Sequence, residues 1–209
     1  IAVDGGGNDD LYGVTVLGRE KETGDLLSWS HAWALPIVLE RRKDIAPRLL
    51  DFQRDGDLTI VPKIEEACAA VVALVKRADE AGLLGSLHDG KKRAIGVDAA
   101  CIKQTLDALN AAGYPDEQIV GVSQGWRLTT AIKSTELYLS SEALRHARQP
   151  LMNWCVGNAK VELKGNAVLI TKQASGSAKI DPLMSLFSAV EVMALSPVAA
   201  GRSFWETAA

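Results

Sequence analysis

Three aspartates, Asp4, Asp98 and Asp181, stand where short apolar runs end or a helical pattern begins. Asp4 closes the run 1–3 and is followed by the turn Gly5-Gly6-Gly7-Asn8; Asp98 closes the run 93–97; Asp181 opens the amphipathic pattern 182–195. In an α/β sheet, groups at the carboxyl ends of strands gather on one edge, where active sites form. Carboxylates brought together in a partly dry site repel one another, so such a cluster is stable mainly when a cation neutralises it. Oxygen-only ligands select a hard ion, Mg2+ or Mn2+. Two such ions, about 3.5 to 4 Å apart, clamp a scissile phosphate, one activating water and the other stabilising the leaving oxygen. Asp10 and Asp9, just past the glycine turn, rank second as ligands.

Each acid also fits a purely structural role. Asp181 suits a helix N-cap, Asp98 can cap the helix that follows it, and Asp4, Asp9 and Asp10 suit a glycine turn. Glu65 and Glu66 fall in the first turn of a helical pattern, where the helix dipole accounts for them. His31, His88 and His146 have no spacing that suggests a zinc site or a catalytic triad. Cys68, Cys101 and Cys155 form no CxxC pair and suit buried thiols in a reducing compartment.

The elements that must position these acids follow from periodicity. Residues 1–3, 11–19 and 26–35 read as strands, the last two joined by Glu22-Thr23-Gly24-Asp25 as a hairpin, so the sheet opens antiparallel. Helical spacing then covers 38–52, a short strand 58–61, and a helix opened by Pro62 runs to 81. Strand 93–97, helix 102–111 closed by Gly113, strand 118–122 and helix 128–145 alternate, which implies parallel pairing with helices on both faces. Residues 161–163 and 167–170 flank Lys164-Gly165-Asn166 as a small extra hairpin, and Asp181 is expected to cap the closing helix. The expected fold is thus a single α/β domain over residues 1–209, with a mixed sheet and its three acids ordered as in a ribonuclease H-like site.

The chain carries 23 basic and 26 acidic residues, a net charge of −3, yet the charge is uneven. Between residues 121 and 180, Arg127, Lys133, Arg145, Arg148, Lys160, Lys164, Lys172 and Lys179 face only Glu136, Glu142 and Glu162. Such a bias suits either a solvated surface or a nucleic-acid footprint. The 47% hydrophobic and 23% charged residues match a globular protein, and no apolar stretch is long enough for a membrane span, so a soluble protein without a membrane partner is expected. The chain starts at Ile1 directly in a strand pattern without a signal segment, as a fragment lacking its upstream part would.

Gln124-Gly125-Trp126, His146, Asn153-Trp154, Gly157-Asn158-Ala159, Lys172 and Lys179-Ile180-Asp181 together resemble the C-terminal nuclease half of tailed-phage terminase large subunits. The likeness covers most of the chain, and Asp4, the glycine turn and Asp10-Leu11 match the start of that half. Ala99 departs from it, standing where many relatives have a proline. The resemblance implies Asp4, Asp98 and Asp181 as catalytic, metal-binding acids in a Mg2+- or Mn2+-dependent endonuclease with two ions. The implied activity is cleavage of concatemeric double-stranded viral DNA during genome packaging, in the cytoplasm of the infected host bacterium. Arg145, Arg148, Lys160, Lys172 and Lys179 would face DNA. Implied partners are an ATPase half of the same polypeptide, a small terminase subunit and a portal protein; this sequence has no G-x-x-x-x-G-K-[ST] loop of its own. His146 belongs to the motif leading to Asn153, with a structural or DNA-backbone-binding role.

Two other readings remain open at this level. One is a non-cleaving ribonuclease H-like module that docks DNA or the packaging machinery. The other is half of a sugar-kinase or actin-like phosphotransferase, which also opens with a strand, an Asp and a glycine turn that cradles phosphate.

Overall fold

Strands that alternate small and branched residues build a sheet whose two faces differ in depth, and this decides where a helix can lie close to it. The computed structural model describes residues 1–100, 103–172 and 178–199; Cys101 and the start of the helix expected at residue 102 lie outside them. The elements are β1 (Ala2–Gly5), β2 (Tyr12–Arg19), β3 (Leu26–Ala34), α1 (Pro36–Arg41), α2 (Ala46–Arg54), β4 (Leu58–Ile60), α3 (Ile64–Glu80), β5 (Ile95–Asp98), α4 (Lys103–Ala111), β6 (Ile119–Val122), α5 (Thr129–Ser140), β7 (Leu144–His146), α6 (Pro150–Asn158), β8 (Ala159–Lys164), β9 (Ala167–Lys172) and α7 (Asp181–Ala194).

The main sheet runs β4-β3-β2-β1-β5-β6, with β7 added beside β3. β1, β2 and β3 are antiparallel, whereas β5 pairs parallel with β1 and β6, and β4 and β7 pair parallel with β3. The antiparallel opening and parallel continuation match the pattern of hairpin and crossover signals. β8 and β9 form the separate hairpin expected around Gly165.

Period 2 sends successive side chains to opposite faces. Val3, Tyr12, Val14, Ile95 and Val97 pack under α3 and α4 with Val71, Val75 and Leu109. Ala2 and Ala32 face the other way, toward α2, α5, α6 and α7 and the side chains Phe52, Ile132, Leu151, Leu186 and Phe187. α7 is buried along nearly its whole length, as a helix apolar on all sides must be. It lies against small residues: a Cβ on Gly96 would meet Val192 at 2.7 Å. Among the described residues no helix is long and apolar enough to cross a membrane.

Three expectations from periodicity need correction. A helix over 38–52 would hold Pro47 in its interior; instead α1 ends at Arg41, Arg42 leaves helical geometry, and α2 restarts with the proline in its first turn. The helix expected over 128–145 stops at Ser140, where the Ser140 and Ser141 hydroxyls donate to the Leu137 carbonyl and Glu142 takes a positive φ. The chain then extends as β7, so Arg145 and His146 lie on a strand, and α6 follows where the pattern showed no helix.

β4 covers residues 32–34 of β3 and β7 covers residues 26–28, which leaves a gap on that edge of β3. Gln149 fills it. Its Oε1 accepts from Ser30 N at 2.8 Å, and its Nε2 donates to Ser30 O at 2.6 Å and to Asp57 Oδ1 at 3.0 Å. The side-chain amide does here what a strand would do. Gln149→Ala leaves buried groups of Ser30 and Asp57 unpaired, and we expect a loss of about 2 kcal/mol, readable as a Tm drop of roughly 4–8 °C. A drop under about 1 °C would show that water replaces the amide without cost.

Candidate metal centre

The last register pair of β1 and β5, Val3 with Val97, places Asp4 and Asp98 one residue further on, at the carboxyl ends of adjacent parallel strands. Asp4 pairs across β2 with Gly13, so it points to the face that α7 crosses. Gly13 has no side chain for a physical reason. A Cβ there would lie 2.8 Å from the Asp181 carbonyl carbon and the Pro182 nitrogen, so the start of α7 rests on β2 backbone. A Cβ on Gly5, whose φ is +81°, would meet Asp181 Oδ1 at 2.9 Å and the Leu11 carbonyl oxygen at 2.4 Å. Just beneath, Thr15 Oγ1 lies 2.8 Å from both Ser30 Oγ and Ser185 Oγ, and Ser185 Oγ donates to the Pro182 carbonyl, joining β2, β3 and α7.

Asp181 is therefore not the cap of its helix. Ile180 holds the cap position without a side-chain bond, and Asp181 is the first residue inside. Its carboxylate is 4% exposed, and Oδ2 has no hydrogen-bond partner. Asp4 is 7% exposed; its Oδ1 accepts from Gln124 Nε2 at 3.1 Å. Asp98 is partly exposed and accepts from the Ala100 backbone N–H at 3.2 Å.

Burial, then the neighbouring carboxylates of Asp181 and Asp98, push Asp4 up to about 8. Burial pushes Asp181 up to about 6, against the pull of Lys172. Asp10 behaves differently. Burial acts to raise it, but Lys172 Nζ at 2.7 Å and Lys179 Nζ at 2.9 Å, both on Oδ1, hold it below the usual carboxylate range. Asp9 is drawn off by Arg42, whose guanidinium binds both carboxylate oxygens and holds the acid low.

The basic residues expected at DNA divide into three groups. Lys179 is 2% exposed, its ammonium spent on the Asp9 carbonyl and Asp10, and Asn158 donates to its backbone carbonyl; this corrects its expected place on a DNA-facing surface. Arg145 and Arg148 lie at or just past β7, and Arg145 pairs with Asp25 at 3.0 Å. With about 3.4 Å per residue along β3 and about 4.8 Å between strands, that puts Arg145 roughly 20 Å from Asp4. Lys160 and Lys172 both lie at the open end of the β8–β9 hairpin but on opposite faces of it: Lys172 reaches Asp10 at 2.7 Å, whereas Lys160 lies 3.5 Å from Glu162. Nearby, Trp126 is 65% exposed with the Arg127 guanidinium over its ring.

Among the described residues no group of three or more His, Cys, Asp or Glu side chains is drawn together closely enough to form a finished metal cage. The donor set still fits a hard divalent cation: the ligand atoms are carboxylate oxygens, Asp181 Oδ2 is buried and orphaned, and mutual repulsion resists ionisation of Asp4. Cys68 and Cys155 are free and buried, with burial, joined at Cys155 by Asp181, raising their thiols; neither is poised as a nucleophile. Gln124, Lys172 and Lys179 entered the sequence reading as motif members or DNA contacts, without any sign of their carboxylate partners.

In fold the chain is similar to the crystal structure of the HK97 bacteriophage large terminase, with a TM-score of 0.69, 19% identity and 90% of this chain covered. The chain spans 38% of that protein's length. No family model matches the sequence, and no curated protein does. The mixed sheet with helices on both faces and a small extra hairpin is a ribonuclease H-like architecture.

Asp4 and Asp181 keep protons in the folded chain at pH values where the unfolded chain has released them, so the stability they confer is whole at low pH. It is lost as pH rises through about 6 and then about 8. In EDTA, stability should fall by about 5 kcal/mol between pH 5 and pH 8, or roughly 10–20 °C in Tm. Asp4→Asn should flatten the slope, and Mn2+ should raise the Tm more at pH 8 than at pH 5. Melting curves across pH with an unchanged slope in Asp4→Asn would show that Asp4 does not carry this effect.

Proposed function

We propose that this chain is the DNA-cleaving part of a terminase-like packaging enzyme, a Mg2+- or Mn2+-dependent endonuclease for concatemeric double-stranded viral DNA. The observation that carries this reading is the buried Asp181 carboxylate, its Oδ2 unpartnered, set near Asp4, which also feels Asp98 at the adjacent strand end. The terminase fold likeness adds support at the level of architecture.

Asp4, Asp98 and Asp181 would hold the cation; when bound, it supplies a Lewis acid for the phosphodiester and a more acidic water. The chain's own residues do the rest. Gln124 fixes the rotamer of Asp4 through its amide, and the Gly13 floor fixes the backbone of Asp181. Both acids are kept from bulk water, which strengthens every charge interaction between them. Lys160 and Lys172 offer ammonium groups to the DNA backbone, and Trp126 with Arg127 offers an aromatic and cationic face beside Gln124. His146 lies on β7, away from the acids, and takes no part in moving the proton of the attacking water. An upstream ATPase half, a small terminase subunit and a portal protein are the partners this function requires.

The non-cleaving docking module has one observation in its favour, the lack of a finished cage among the described residues. Supercoiled plasmid, incubated with the protein and Mn2+, Mg2+ or EDTA, separates the two readings. We expect nicking and linearisation in Mn2+, none in EDTA, and a loss of at least about 100-fold in Asp181→Asn with plasmid binding retained. DNA binding without cutting under every condition supports the docking module, and cutting that survives Asp181→Asn removes that residue from the site.

A further inference from the structure

Trp126 is the most exposed aromatic side chain among the described residues, at 65%, yet the backbone that carries it is firmly held. It sits in a single 3-10 turn, Gly125–Leu128, entered through Gly125 with a φ of +71°. On one side of the turn the Gln124 amide is tied to Asp4 at 3.1 Å; at its other end Leu128 is buried in the core. Thr129 Oγ1 donates to the Trp126 carbonyl at 2.7 Å and accepts from the Val168 N–H at 3.1 Å, which fastens the turn to β9. The indole is steadied as well. The Arg127 guanidinium lies 5.3 Å from its ring centroid, and Arg127 Nη1 donates to Ser123 Oγ at 3.3 Å. A large flat apolar surface is thus shown to water on a braced turn, with a cation stacked on it, two residues from the side chain that holds Asp4.

The cation suits a polyanion, and the flat ring narrows the choice of what part of it is met. Of the parts of DNA, a base alone offers a matching flat face, and base–aromatic stacking tolerates any sequence because every base has one. In a paired duplex that face is hidden between its neighbours, so a ring reaches it only where a base has left the stack. Two residues of chain span about 7 Å at most, or about two nucleotide steps of 3.4 Å along a strand. The base concerned therefore lies close to a phosphate held at Asp4.

We propose that Trp126 stacks on an unpaired base beside the scissile phosphate, so that the site takes locally opened duplex in preference to fully paired DNA. The proposal rests on the DNA-cleaving reading above and adds the form of the DNA that the site accepts. Trp126 touches no reacting atom; it determines which substrate is held, and Arg127 keeps its ring in place.

The test measures binding to the whole chain in Ca2+ of two short duplexes of one sequence, one fully paired and one with a central bubble of unpaired bases. Each carries 2-aminopurine at its centre, whose emission falls when it stacks on a ring, and an end label whose anisotropy gives the affinity. Expected in wild type is tighter binding of the bubble by about 10-fold, with quenching of its aminopurine on binding. Trp126→Ala should lose about 10-fold on the bubble, less on the paired duplex, and the quenching with it. Trp126→Phe, which keeps a flat ring, should retain the preference and the quenching, and thermal melts check that both variants fold. Equal losses on the two duplexes, or quenching that survives Trp126→Ala, overturn this inference; cutting of plasmid in Mn2+ by the wild type then leaves the nuclease reading standing. Quenching that depends on Trp126 without any plasmid cutting upholds the stacking and overturns the nuclease reading. No binding of either duplex overturns both.

Discussion

A helix that starts on top of a sheet must either stand off by a side chain or find a gap, and α7 does the second. Gly13 opens the gap on β2, and the Asp181–Pro182 peptide sits in it at a distance that excludes even a methyl group. The carboxylate of Asp181 is thereby delivered next to Gly5 and Asp4, deep enough to be almost dry. Everything else in the site answers to that placement. Thr15, Ser30 and Ser185 satisfy the polar groups that such close packing buries, and Lys179, two residues upstream, ties the glycine loop to the same helix start. A buried carboxylate that lacks a full set of partners is a standing cost, tolerated where something outside the chain completes it.

The legible part of this arrangement was the part written locally. Asp4 and Asp98 follow apolar runs of strand length, and a strand end is where a parallel sheet presents its groups. The glycine turn, the hairpin at Gly24 and the hairpin at Gly165 are equally local. Asp181 was legible as an acid at a helix start but misplaced by one position, because an N-cap and a first-turn residue share a sequence signature; only the contact with Gly13, far away in the chain, decides between them. The partners of the acids were illegible for the same reason. Gln124 reaches Asp4 across 120 residues and Lys172 reaches Asp10 across 162, and no spacing rule spans such distances. Pro47 was different: its effect is local, and a strict reading of proline inside a helical pattern would have split the helix at the right place.

The basic excess of the C-terminal half also looks different once folded. As a linear count it suggests one broad surface, but the fold scatters it: Lys179 goes inside to neutralise Asp10, Arg145 pairs with Asp25 on a distant edge, Lys160 pairs with Glu162 on the hairpin, and Lys172 reaches Asp10 beside the acids. Net charge along a sequence thus says little about the field at a site until each cation's nearest anion is known.

The amide of Gln149, seated between β4 and β7, bears on how the molecule meets copies of itself. An exposed strand edge is a template on which another chain can pair, and long flat edges promote aggregation. Here the nine-residue β3, the longest strand of the sheet, has its outer edge closed by two three-residue strands and one side chain. What remains open to a neighbour on that side is two short, separated segments at opposite ends of β3, too brief and too far apart to seed a continuous ladder. One glutamine thus removes the middle of the longest strand from that edge as a template for pairing.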